Sequence, residues 1–74
     1  MAPPSPLALF WPSHGRVIGF NGIPFSLDEA HDLRRFYLGY CIRPDLDDVA
    51  RAFCRRCARE LARAIRTVSA KGCD

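Results

Sequence analysis

The stretch Val17-Ile18-Gly19-Phe20-Asn21-Gly22-Ile23-Pro24-Phe25, followed directly by Ser26-Leu27-Asp28-Glu29, decides the fold. Asn-Gly tolerates the positive backbone angles of a two-residue type I′ turn. With Asn21 and Gly22 as the loop, Phe20 pairs with Ile23 and Ile18 with Phe25, and all four apolar side chains share one face. Pro24 then takes a non-hydrogen-bonded position and marks its strand as an edge. A short strand over residues 7–11 would pair with the other side of strand 17–20, with Pro12-Ser13-His14-Gly15 turning between them. Ser26 and Glu29 have the Ser-x-x-Glu spacing of a capping box, which predicts a first helix from about Leu27 to Leu38 or slightly beyond. Its apolar residues span an arc too wide for one contact. One flank is expected against the hairpin and the other against the next helix.

Beyond Gly39, Pro44-Asp45 opens a second helix with Asp45 as its N-cap, running from about Leu46 to Ser69 and stopping by Gly72. At 100° per residue, Leu46, Ala50, Phe53, Cys54, Cys57, Leu61, Ala64, Ile65 and Val68 fall on one side of it. Arg51, Arg55, Arg56, Arg59, Arg63 and Arg66 fall on the other. Such a helix is longer than a domain of this size is wide, so the distal apolar end (Leu61, Ala64, Ile65, Val68) is expected to be bare and to call for a partner, a second copy being the simplest. The expected fold is α+β: an antiparallel β-hairpin, three-stranded if residues 7–11 pair, followed by two antiparallel helices, the second long and amphipathic. Its core is expected to hold Ile18, Phe20, Ile23, Phe25, Leu33, Tyr37, Val49, Phe53, Cys57 and Leu61. Residues 1–6 read as a loose Pro-rich arm, 7–71 as one small domain and 72–74 as a tail.

The chain has 74 residues, 49% of them hydrophobic and 26% charged, which is globular composition and excludes a multi-domain enzyme or a transporter. No apolar run has the roughly 18 residues that span a bilayer. The start resembles neither a secretory nor a transit peptide, so a cytoplasmic location is expected. Residues 1–48 carry four arginines against six acids, while residues 49–74 carry six arginines and Lys71 against Glu60 and Asp74. The overall charge of +3 thus divides into −2 and +5. A basic second helix points to an anionic partner, although a solvated arginine face gives the same pattern.

The four cysteines, Cys41, Cys54, Cys57 and Cys73, are expected to be reduced thiols. His31, Cys54 and Cys57 are weak candidates for a metal, since His31 is expected level with Cys54 across the helix pair. A fourth ligand is out of reach, and cysteines on an apolar face serve equally as small hydrophobes. No metal and no cofactor is therefore assigned. Cys54-x-x-Cys57 lies too deep in its helix for a thioredoxin-like thiol pair. His14 reads as a solvated turn residue, and no phosphate loop or nucleophile motif is present, so no catalytic residue and no small-molecule substrate is expected.

The order strand, helix, glycine turn, helix is similar to that of ribbon-helix-helix regulators over about half of the chain, with Ile23-Pro24-Phe25 in the ribbon's place and Gly39 to Asp45 as the turn. Asn21-Gly22, however, closes that strand onto its own neighbour, and Pro24 interrupts it; the chain is not assigned to the family. The leading expectation is a non-catalytic binding or regulatory protein that acts on a partner protein through its helices as a homodimer, with Trp11, Leu61, Ile65 and Val68 as anchors. The alternative is a nucleic-acid-binding regulator whose six helix arginines contact phosphates. A membrane surface is not an expected partner, because the apolar side of the helix is rich in small residues needed at home.

Overall fold

The computed structural model describes residues 8–72. The arm over residues 1–6, Leu7, and Cys73 and Asp74 of the tail lie outside them. Three strands, β1 (Phe10–Ser13), β2 (Arg16–Gly19) and β3 (Pro24–Phe25), precede two helices, α1 (Leu27–Tyr40) and α2 (Asp48–Gly72). The sheet is antiparallel in the order β1-β2-β3, which confirms β2 as the centre and β3 as an edge.

The type I′ geometry occurs, but in the first hairpin. β1 and β2 pair Ser13 with Arg16, leaving His14 and Gly15 as a two-residue loop with φ of 51° and 76°. His, like Asn, is among the residues that accept a left-handed conformation most readily. The second hairpin corrects the expected register by one residue. Val17 lies opposite Phe25 and Ile18 opposite Pro24. The loop holds three residues, Phe20-Asn21-Gly22, closed by Gly22 N–H donating to the Gly19 carbonyl (2.8 Å) and Gly19 N–H donating to the Ile23 carbonyl (3.0 Å). Only Gly22 has positive φ, at 82°. The loop is thus a turn followed by a left-handed glycine, which Asn-Gly serves as well as it serves a type I′ turn. The Asn21 carboxamide oxygen also accepts the Ile23 N–H at 3.3 Å.

A one-residue slip exchanges the faces of a strand. Val17 is therefore the fully buried residue of β2, and Ile18 is only half-buried. Phe20 and Ile23, expected in the core, are exposed.

The capping box of α1 is present. Ser26 N–H donates to Glu29 Oε1 (2.9 Å), and Glu29 N–H donates to Ser26 Oγ (3.3 Å). These bonds, the Ser26 backbone first, hold the Glu29 carboxyl below the usual range. The N-cap of α2 is Asp47, two residues later than expected: its side chain accepts the Ala50 N–H (2.7 Å) and its carbonyl accepts the Arg51 N–H (3.1 Å). Asp45 is unavailable for capping because Arg43 grips both of its oxygens, at 2.9 and 2.6 Å. That arginine also lies over the Tyr40 ring, 5.3 Å from its centroid, and so closes the turn between the helices.

The core unites Phe10, Val17, Ala30, Cys57, Leu61, Ala64, Ile65 and Val68, with Leu9, Phe25, Leu27, Leu33 and Tyr37 packed against it. Phe25, Leu33, Tyr37, Cys57 and Leu61 thus meet their expectation, whereas Val49 and Phe53 are exposed. The distal stripe of α2, expected to be bare, is covered: Leu61, Ala64, Ile65 and Val68 are all buried. The β1–β2 hairpin, represented by Phe10 and Val17, lies against this half of the helix. Burying one leucine of this kind is worth about 1.5–3 kcal/mol. No helix among the described residues is long and apolar enough to cross a membrane.

Candidate functional site

Because the sheet lies on the distal half of α2, large apolar side chains are left exposed at the other end. Val49 on the first turn of α2 is 80% exposed, Ile42 in the connecting turn 78% and Phe53 45%. Phe36 of α1 joins them at 53%. One of these positions, Phe36, belongs to a run of ring contacts. Phe20 meets Phe10 (6.1 Å between centroids), Phe10 meets Tyr37 (6.2 Å), Tyr37 meets Phe36 (5.6 Å), and Phe36 meets Tyr40 (4.6 Å), all edge to face. The i, i+4 spacing of Phe36 and Tyr40 stacks them on one side of α1. Of these rings Phe20 and Phe36 are exposed, Tyr37 and Tyr40 are half-buried and Phe10 is buried. The sequence carried the signal in Phe36 and Tyr40, but the width of the first helix's apolar arc assigned both to packing.

The anchors expected from the sequence are inside the fold. Trp11, Leu61, Ile65 and Val68 are buried, so none of them presents its side chain to a partner of this protomer. Trp11 lies outside the main cluster, and its indole N–H makes no hydrogen bond among the described residues.

The six arginines divide into two groups. Arg51 pairs with Asp48, and Arg56 donates through Nε to Glu60 Oε2 at 2.9 Å. Arg55, Arg59, Arg63 and Arg66 are exposed, and no carboxylate among the described residues lies within ion-pair distance of them. They form the outward face of α2.

Glu60, the acid within that basic segment, has a different task. Its Oε1 accepts the Leu9 N–H (2.6 Å) and the Phe10 N–H (3.2 Å), which fastens the start of the edge strand β1 to α2. Partial burial opposes ionisation of Glu60, but the Leu9 amide, Arg56 and the Phe10 amide outweigh it and hold the carboxyl below its ordinary range. A lone acid at the margin of the apolar arc was the available sequence signal for this clasp.

His31, Cys54 and Cys57 are not brought together. His31 stands beside Ala62, Ile65 and Arg66, whereas Tyr37, two turns later in α1, is the neighbour of Cys54 and Cys57. The antiparallel register therefore places His31 roughly 12 Å or more along the axis from Cys54, at 1.5 Å per residue, and not level with it. No group of three His, Cys, Asp or Glu side chains among the described residues is placed to hold a metal ion. Burial, with the neighbouring Cys54 and Glu60 adding to it, pushes the Cys57 thiol up to about 11, far from the thiolate a nucleophile needs. Burial raises the Tyr37 phenol as well, with the neighbouring Cys57 and Cys54 adding to it.

Compared with known protein families, curated proteins and solved structures, the chain matches none.

Proposed function

We propose that the protein is a small non-catalytic binding module that regulates a partner protein, engaging it through the end of the molecule where α1 turns into α2. The observation that carries this reading is the exposure of Val49, Ile42, Phe36 and Phe53 at that one end. Large apolar side chains there cost nothing to the fold's own packing and gain burial only on association. A second copy is the first partner to test, because a two-fold contact brings the same apolar residues of both chains together.

Sedimentation equilibrium of the reduced protein reads this directly. The expected result is a dimer that Val49→Ser with Phe53→Ser converts to monomer while the thermal midpoint stays within a few degrees. A wild-type monomer at all concentrations removes the homodimer and leaves a different protein as the partner. Wild-type and variant chains that associate equally remove this surface.

A second reading, nucleic-acid binding, has one specific observation in its favour: Arg55, Arg59, Arg63 and Arg66 lack carboxylate partners. Arginines already matched with acids lose that pairing when they bind phosphate, and these four do not. Fluorescence anisotropy with a labelled duplex at about 50 and 200 mM salt tests it. Binding that collapses at the higher salt, and that Arg55→Glu with Arg59→Glu abolishes, supports the reading. No binding at the lower salt removes duplex contact.

A further inference from the structure

The crossing of α1 and α2 near the start of α1 contains an open depression of about 240 Å³ lined by His31, Arg34, Ala62, Ile65 and Arg66. Three of its five lining residues carry nitrogen donors, and none is acidic. Ala62 and Ile65 supply only apolar atoms, and the short side chain of Ala62 leaves the space open. His31 and Arg34 lie one turn apart on α1, and Arg66 faces them from α2. The three donor-bearing residues therefore border the depression from both helices.

The charge pattern around it distinguishes this place from an ordinary arginine-rich surface. Arg35, Arg43, Arg51 and Arg56 each have a carboxylate, in Asp32, Asp45, Asp48 and Glu60 respectively. Arg34 and Arg66 have none among the described residues. Asp32, the acid next to His31 in sequence, is turned to Arg35, with an N–O distance of 4.0 Å. Arg63, one turn before Arg66 on α2, also lacks a carboxylate and extends the positive field toward the outward face. Two guanidinium groups that border one depression without a carboxylate partner favour a bound anion there.

From this juxtaposition we infer that the His31–Arg34–Arg66 depression is a binding site for a phosphate group. Guanidinium forks match the oxygens of phosphate in pairs, and an imidazole N–H adds a donor on the same side. The open shape suits a group that projects from a larger molecule as well as a free phosphate ester. The site stands apart from the apolar end proposed above for protein docking, so the two stand or fall separately.

The test is a nuclear magnetic resonance titration of the full chain with inorganic phosphate, and then pyrophosphate, at constant ionic strength balanced with chloride. Saturable shifts centred on the His31 ring and on the Arg34 and Arg66 side chains are expected, with pyrophosphate the tighter ligand. Arg34→Gln with Arg66→Gln is expected to weaken binding at least tenfold, while Arg55→Gln with Arg59→Gln leaves it within about twofold. Shifts that fail to saturate, or that spread evenly over all the α2 arginines, overturn the site. So does a doubly substituted Arg34/Arg66 chain that keeps its fold by amide spectrum and still binds like wild type. A duplex DNA arm then identifies the source of the phosphate. A salt slope reduced by about two in the Arg34/Arg66 variant assigns it to a nucleic-acid backbone, and an unchanged slope assigns it to a free phosphate ester.

Discussion

From Cys57 to Val68 the apolar stripe of α2 lies beneath the β1–β2 hairpin and beside α1, whereas toward the start of the helix Phe53 of that stripe and Val49 at its border are exposed. The two halves have the same helical periodicity and similar composition. What separates them is a clasp at the boundary, where Glu60 takes the Leu9 and Phe10 amides and fixes the hairpin on the distal side. Periodicity identifies which side of a helix is apolar. Which part of that side is core depends on a contact made some fifty residues away in the chain.

The largest expected effect that sharpens this contrast is Leu61→Ala. Truncating a fully buried leucine costs about 2–5 kcal/mol, whereas Val49→Ala is expected to stay within about 0.5 kcal/mol. Urea unfolding of the two variants measures the difference, and equal costs would break the comparison.

Next comes Glu60→Gln, which weakens the charge-assisted bonds to β1 and is expected to cost about 1–3 kcal/mol. Because the Glu60 carboxyl titrates below its ordinary value in the folded chain, its stabilisation is complete above the ordinary carboxylate range and is lost as pH falls through the depressed value. Wild-type stability should therefore drop in acid more steeply than that of the Gln variant. Parallel acid titrations of the two proteins would show that the clasp carries no charge-dependent stability.

A smaller effect, about 1 kcal/mol, is expected for Ser26→Ala. Ser26 caps the start of α1, and the α1 residues that follow lie against the distal half of α2. Amide exchange should accelerate there first; acceleration confined to the Val49 end would reverse the assignment of the stable half.

The smallest effect on stability belongs to Val49→Ser with Phe53→Ser, which should barely move the thermal midpoint. Its readout is association, so a large loss of stability would mean that these side chains serve the fold after all.

Much of this architecture was legible in the residues themselves. Ser26-x-x-Glu29 marked the start of α1 because both partners of the capping box are local. Pro24 marked β3 as an edge, which left the far side of β2 for β1. The hairpin register was not legible, because Asn21-Gly22 fits a two-residue and a three-residue loop equally well and the two differ by a single slip. That slip places Phe20 in the loop and makes Val17 the core residue of β2. Asp45 and Asp47 compete for the cap of α2, and the Arg43 side chain decides between them. The arginine face of α2 was legible from its angles alone. The depression beside it was not, since it requires knowing that His31 and Arg34 come level with Arg66 and not with Cys54.

The Glu60 clasp also bears on the order in which the chain assembles. Joining Phe10 to Glu60 closes a loop of 50 residues, for which the chain-entropy cost is about 3.5 kcal/mol before any contact repays it. The α1–α2 hairpin closes through a short turn, and each β-hairpin through two or three residues. The β1–β2 hairpin is thus expected to dock late, onto a helix pair whose distal stripe is still wet until Phe10 and Val17 arrive together.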